Sequence, residues 1–90
     1  MRLEWKYSAR ADRKRIHAYV AQHNPIATVT LTRSLSEKAL WLLQHPHLGY
    51  PGRLAGTREW VVHPHYILVY ELTPDTVHIL RVLHTAQRWP

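Results

Sequence analysis

Three apolar runs crowded into the last third of the chain limit what it can fold into. They fall within Gly56–His63, Tyr66–Tyr70 and Ile79–His84, and the breaks between them, His63-Pro64-His65 and Thr73-Pro74-Asp75-Thr76, are short and contain proline. Runs of this length, rich in β-branched and aromatic residues and bounded by turn residues, read as strands. Parallel neighbours need a crossover of a dozen residues or more, so two tight breaks in succession require an antiparallel meander. The first and third strands then run the same way, which brings His63 and His84 out at the same end of the sheet. Arg58 and Arg81 belong to the same two strands.

Upstream, Leu3, Trp5 and Tyr7 alternate with Arg2, Glu4 and Lys6, the period of a short strand. Ser8 is placed to cap a helix from Ala9 to His23 whose inner stripe is Ile16, Tyr19 and Val20, with Asp12 one turn earlier. Arg10, Arg13, Lys14 and Arg15 fall on its outer arc, as a solvated face or a phosphate-contacting one. Asn24-Pro25 closes this helix and opens a second, since asparagine caps and proline suits a first turn. Leu31, Leu35, Ala39 and Leu42 form the second helix's core stripe, up to His45-Pro46. Pro46, Gly49, Pro51, Gly52 and Gly56 punctuate a loop that carries Arg53, and Trp89 is expected to dock back on the sheet. The predicted fold class is α+β in the order β-α-α-β-β-β. A helical hairpin covers one face of a mostly antiparallel sheet, and the opposite face is left for solvent or a partner.

Ninety residues suit a single domain, residues 1–90. An apolar fraction of 46% excludes an intrinsically disordered chain, and the absence of cysteine excludes disulfides and thiolate metal sites. The first residues lack an apolar signal core, and no run reaches the roughly 18 residues of a membrane span, so a cytoplasmic protein without membrane attachment is expected. A formal charge of +6 together with eight histidines favours an anionic partner.

Cleaving RNA without a metal needs a base for the 2′-hydroxyl, an acid for the leaving 5′-oxygen and cations for the pentacovalent phosphate. Imidazole titrates near neutrality, and guanidinium forks onto phosphate. His63, His84, Arg58 and Arg81 are therefore the candidate catalytic set, with Arg53, His65 and Arg88 as candidate target-binding residues. Strand parity opposes it: Arg81 and His84 are three apart, Arg58 and His63 five, so each pair shares a face only where a strand bends or ends. His45-Pro46-His47 and His63-Pro64-His65 hold paired imidazoles, but no carboxylate or cysteine joins them at ligand spacing, so no metal and no cofactor is expected.

Three blocks in order resemble the RelE/ParE superfamily of toxins: Gly52–Glu59, His63–Tyr70 and Ile79–Pro90. Trp5, Asp12, Ile16, Tyr19-Val20 and Asn24-Pro25 extend the resemblance over the whole domain, most closely to the RelE/StbE plasmid-stabilisation type. The resemblance implies the toxin of a type II toxin–antitoxin module, neutralised by a cognate antitoxin with an acidic, amphipathic segment. RelE-like members enter the ribosomal A site and cleave mRNA as metal-independent endoribonucleases. ParE-like members poison DNA gyrase instead. Many mRNA-cleaving members carry arginine in the middle strand, where this chain has Ile67, and a basic residue after the last strand, where it has Thr85-Ala86. The imidazoles with Arg58, Arg81 and Arg88 are the groups available to replace them. On that basis ribosome-dependent mRNA cleavage is the expected activity, with gyrase poisoning as the alternative.

Overall fold

The computed structural model describes all residues, 1–90. In chain order the elements are β1 (Arg2–Trp5), α1 (Tyr7–His23), α2 (Pro25–Gln44), β2 (Tyr50–Pro51), β3 (Arg58–His63), β4 (Tyr66–Thr73) and β5 (Thr76–His84). β3, β4 and β5 form the expected antiparallel meander, with Pro64-His65 and Pro74-Asp75 as its turns. The full sheet runs β1-β5-β4-β3-β2, and β1 lies parallel to β5. The helical hairpin sits between β1 and the meander in sequence and supplies the crossover that leads to this parallel pairing.

Most of a protein helix's stability comes from packing its apolar face, so packing must hold these two. Ala9 and Ile16 of α1 and Leu31, Leu35, Ala39 and Leu42 of α2 meet Val62, Tyr66, Leu68, Tyr70, Val77, Ile79 and Val82 of the sheet. Each fully buried large side chain contributes about 1.5–3 kcal/mol. Asn24 makes the hinge: its Oδ1 accepts the Ala27 N–H at 3.1 Å, and Pro25 follows in the first turn. β1 stops at Trp5, and the Lys6 N–H makes one more rung to the Ile79 carbonyl at 2.9 Å. Beyond that rung Asp12 takes over the edge of β5, with Oδ2 accepting the Val82 N–H at 2.9 Å. No helix is long and apolar enough to cross a membrane.

Several local expectations are corrected. Tyr7 opens α1 instead of closing the strand, and Lys6, with no side-chain cap, stands at the N-cap in place of Ser8, because the chain leaves the sheet directly after its rung to Ile79. Ile16 and Val20, four apart, turn inward and swing Tyr19 out to 64% exposure. Arg13 leaves the outer arc: it leans across to Ser36 Oγ of α2 at 2.9 Å and over the Trp5 ring. The loop contains β2, whose Tyr50 and Pro51 pair with Glu59 and Arg58. The sheet face away from the helices is not open either. Val69 and Leu83 are fully buried there, where Arg53 reaches Glu59 and Trp89 stacks on Arg81 at 5.2 Å.

Candidate functional site

At one end of the sheet Tyr66 pairs with His84 across the β4–β5 joint and with His63 across the β3–β4 joint. The tight turn after β3 adds His65. Four rings meet there: His63–His65 at 5.6 Å, His63–Tyr66 at 5.5 Å, His65–His84 stacked at 5.6 Å, and Tyr66–His84 edge-on at 5.6 Å. Arg15, Ile16 and Tyr19 of α1 and Gln87 of the tail join Tyr66 and His84 around a hollow of about 280 Å³. The Arg15 Nη2 is fixed on Asp12 Oδ1 at 3.0 Å, while much of its side chain remains exposed.

The imidazoles differ in what they can do. The His65 N–H donates to His63 Nδ1 at 3.0 Å, and the Ala86 N–H donates to His84 Nδ1 at 3.1 Å. A ring nitrogen that accepts a hydrogen bond carries no proton, so the neutral forms of His63 and His84 are Nε2–H tautomers. Protonating either ring would set an Nδ1–H against a backbone N–H. His65 stacks on His84, and neither of its ring nitrogens is engaged in a hydrogen bond. Burial, and after it the nearby His65 and Lys38, hold the His63 pKa below its ordinary value. Burial raises that of the Tyr66 phenol.

The arginines have other engagements. Arg81 donates through Nε to Asp12 Oδ2 at 2.7 Å and through Nη2 to Oδ1 at 3.0 Å. It stays on the face opposite His84, because the irregularity in β5 falls before Arg81, opposite Val69 and Tyr70, and not between Arg81 and His84. Arg58 begins β3 while His63 ends it, about 17 Å away at strand rise. The Arg58 Nη2 donates to the carbonyls of His47 and Gly49. Arg53 forks onto Glu59 through Nε at 3.1 Å and Nη2 at 3.0 Å, and adds its backbone N–H at 2.9 Å. Arg88 is exposed in the tail. Ile67 is buried on the face away from the helices. The structure thus gathers His63, His65 and His84 and leaves Arg53, Arg58 and Arg81 apart from them. Arg15, Tyr19, Tyr66 and Gln87 are members that the sequence reading missed. The i, i+4 spacing of Arg15 and Tyr19 was the available signal for those two. No group of three or more His, Cys, Asp or Glu side chains is arranged to hold a metal ion.

A two-helix hairpin on a mixed five-stranded sheet is the fold of the RelE/ParE toxins. A chain of the chromosomal ParDE toxin–antitoxin system from P. aeruginosa superposes with a TM-score of 0.83, covering 93% of this chain and 95% of that one at 19% identity. A Helicobacter pylori protein solved in solution gives 0.64, covering 97% of both chains at 20% identity. Residues 3–89 match the family described as ParE toxin of the type II toxin–antitoxin system parDE. Toxin RelE2 of Caulobacter vibrioides is 35% identical over 85 residues, covering 92% of this chain and 93% of the relative. The protein Y4kP of Sinorhizobium fredii is 33% identical over 90 residues, covering 99% and 93%. The chain belongs to the ParE toxin family of type II toxin–antitoxin systems, within the RelE/ParE superfamily.

Proposed function

We propose that this toxin arrests growth by cutting mRNA at the ribosome, with His63, His65, Tyr66 and His84 as its working centre. The observation that carries this reading is the ring cluster: three imidazoles in successive contact beside a hollow that Arg15 lines. His65 takes the 2′-hydroxyl proton as that oxygen bonds to phosphorus, and the imidazolium so formed returns the proton to the leaving 5′-oxygen as its P–O bond breaks, leaving a 2′,3′-cyclic phosphate. The Nε2–H groups of His63 and His84 donate to phosphate oxygens, and Arg15 offsets charge that builds on the phosphate. Tyr19, exposed on α1, offers a ring face to a base. The controlling partner is a cognate antitoxin, as in the ParDE system from P. aeruginosa, and the +6 charge suits an acidic, amphipathic segment. The reaction runs in the cytoplasm, where ribosomes are.

Gyrase poisoning is the second reading. Its support is the internal engagement of Arg53, Arg58 and Arg81, which leaves few cations to neutralise a phosphate. Brief induction in growing cells separates the two. Message cut at ribosomes within minutes is the expected result, with His65→Ala slowing cleavage about 10²- to 10⁴-fold and His84→Ala about 10²- to 10³-fold while antitoxin still binds. Intact message with gyrase trapped on cleaved DNA would establish the second reading instead.

A further inference from the structure

α1 carries a second basic set that the ring cluster does not use. Arg10, Lys14 and His17 follow at spacings of four and three, so they share one side of the helix over about 10 Å of its axis. Arg13 lies beside them with its guanidinium 4.4 Å over the Trp5 ring and Nη2 on Thr32 O at 3.3 Å and Ser36 Oγ at 2.9 Å. Arg13, Lys14, His17 and Thr32 line a hollow of about 260 Å³ that contains no apolar residue. Lys14 also borders a neighbouring hollow with Tyr7, Arg10 and Ala11, where Tyr7 is 78% exposed.

Arg13 is the cation of this flank left without a counter-anion, as Arg58 is elsewhere. Arg53 and the partly buried Arg81 each hold a carboxylate, and Arg58 holds two carbonyls. Burial holds the Arg13 pKa below its ordinary value, yet its partners are neutral oxygens and no carboxylate faces it. Asp12, next in sequence, is committed to Arg81, Arg15 and the Val82 N–H, and Glu4 pairs with Lys6 at 2.6 Å. A cation drawn out of water without a counter-anion is unfavourable, and an incoming anion relieves it.

We infer that the Tyr7–Arg10–Arg13–Lys14–His17 flank of α1 binds single-stranded nucleic acid, with phosphates on the basic groups and a base on Tyr7. Cations interleaved with an exposed aromatic ring are the layout that tracks a strand and stacks its bases. No hydrophobic side chain lines the hollow between the helices, which favours a nucleic-acid strand over the apolar face of a protein segment. The flank is separate from the ring cluster, and the inference stands whether or not that cluster cleaves RNA.

The test is fluorescence anisotropy of the full-length toxin with short oligothymidylate and oligouridylate, a DNA duplex of equal length, and polyglutamate. Single strands bind, and Arg10→Glu and Lys14→Glu, both at exposed positions, weaken binding and flatten its salt dependence by about 0.7 log units per log unit of salt for each lost phosphate contact. Tyr7→Ala weakens it about five- to a hundredfold, the range of one stacked base. A preference for uridylate or thymidylate assigns the strand to RNA or DNA and upholds the inference either way. Wild-type affinity in the charge reversals, duplex binding as tight as single-strand binding and indifferent to Tyr7→Ala, or tighter binding of polyglutamate would each overturn it, the last in favour of an acidic protein partner.

Discussion

Asp12 and Arg81, 69 residues apart, are joined by two hydrogen bonds of 2.7 and 3.0 Å, and the same carboxylate receives the Val82 N–H. The carboxylate is 2% exposed, so it clasps α1 to the free edge of β5 out of reach of water. Asp12→Asn leaves Arg81 without its counter-charge. Breaking a buried pair from one side costs about 3–5 kcal/mol, and the partial exposure of Arg81 places this case near the lower end. The urea midpoint measures it.

Acid should unfold the protein through two carboxylates. Burial alone would raise the pKa of Asp12, but bonds from Arg81, Val82 and Arg15 outweigh it and leave it lowered. Burial likewise acts on Glu59, and Arg53 outweighs it. With folded pKa values below unfolded ones, the unfolded chain takes up protons first as pH falls. This stability is therefore full above about pH 5 and is lost as pH drops through about 4 and below. Asp12→Asn and Glu59→Gln should each flatten the curve of unfolding free energy against pH in that window, while neutral-pH stability drops.

Arg53 should behave as a structural residue. Glu59 is 1% exposed, and Arg53→Ala strands it at a cost of about 3 kcal/mol. Replacing both by methionine should recover most of the loss, since the stranded charge disappears with its partner. Thermal melts of the single and double variants decide the matter. A stable Arg53→Ala protein that has lost toxicity would return Arg53 to the functional set.

The lowered His63 pKa has its own consequence. Because the fold disfavours charged His63, its unfolded form binds the proton first, and stability declines as pH falls below about 6.5. Lys38 contributes to that shift from its place on the Val62 carbonyl, 2.7 Å away. Lys38→Met should raise the His63 pKa toward its ordinary value and shrink the decline. An NMR titration of the imidazole protons reads the first effect, and urea melts at several pH values read the second.

The meander was legible because Pro64 and Pro74 mark turns too short for any other connection. The core stripe of α2 was legible because Leu31, Leu35, Ala39 and Leu42 repeat at helical spacing, and all four are buried. Co-directional strands also foretold that His63 and His84 share an end, and the ring contacts through His65 and Tyr66 bear this out. The same logic separates Arg58 from them, since a residue that begins a strand cannot stand at its end. What stayed hidden was pairing at a distance. Parity tells which face a side chain takes but not that Asp12 waits across from Arg81, that Arg53 closes on Glu59, or that Arg13 turns inward over Trp5. Each depends on how two distant segments are set side by side, which no local period records.

The parallel pairing of β1 with β5 also sets a schedule. Arg2 and Asp75 lie 73 residues apart and end up bonded to each other. At a synthesis rate of about 5–20 residues per second, the first strand waits roughly 4–15 s for its partner to be made. During that wait the helical hairpin lacks the strands it covers, and His84 has yet to be joined to the chain. The sheet is therefore closed only with its last strand, and during those seconds an antitoxin meets an unfinished partner.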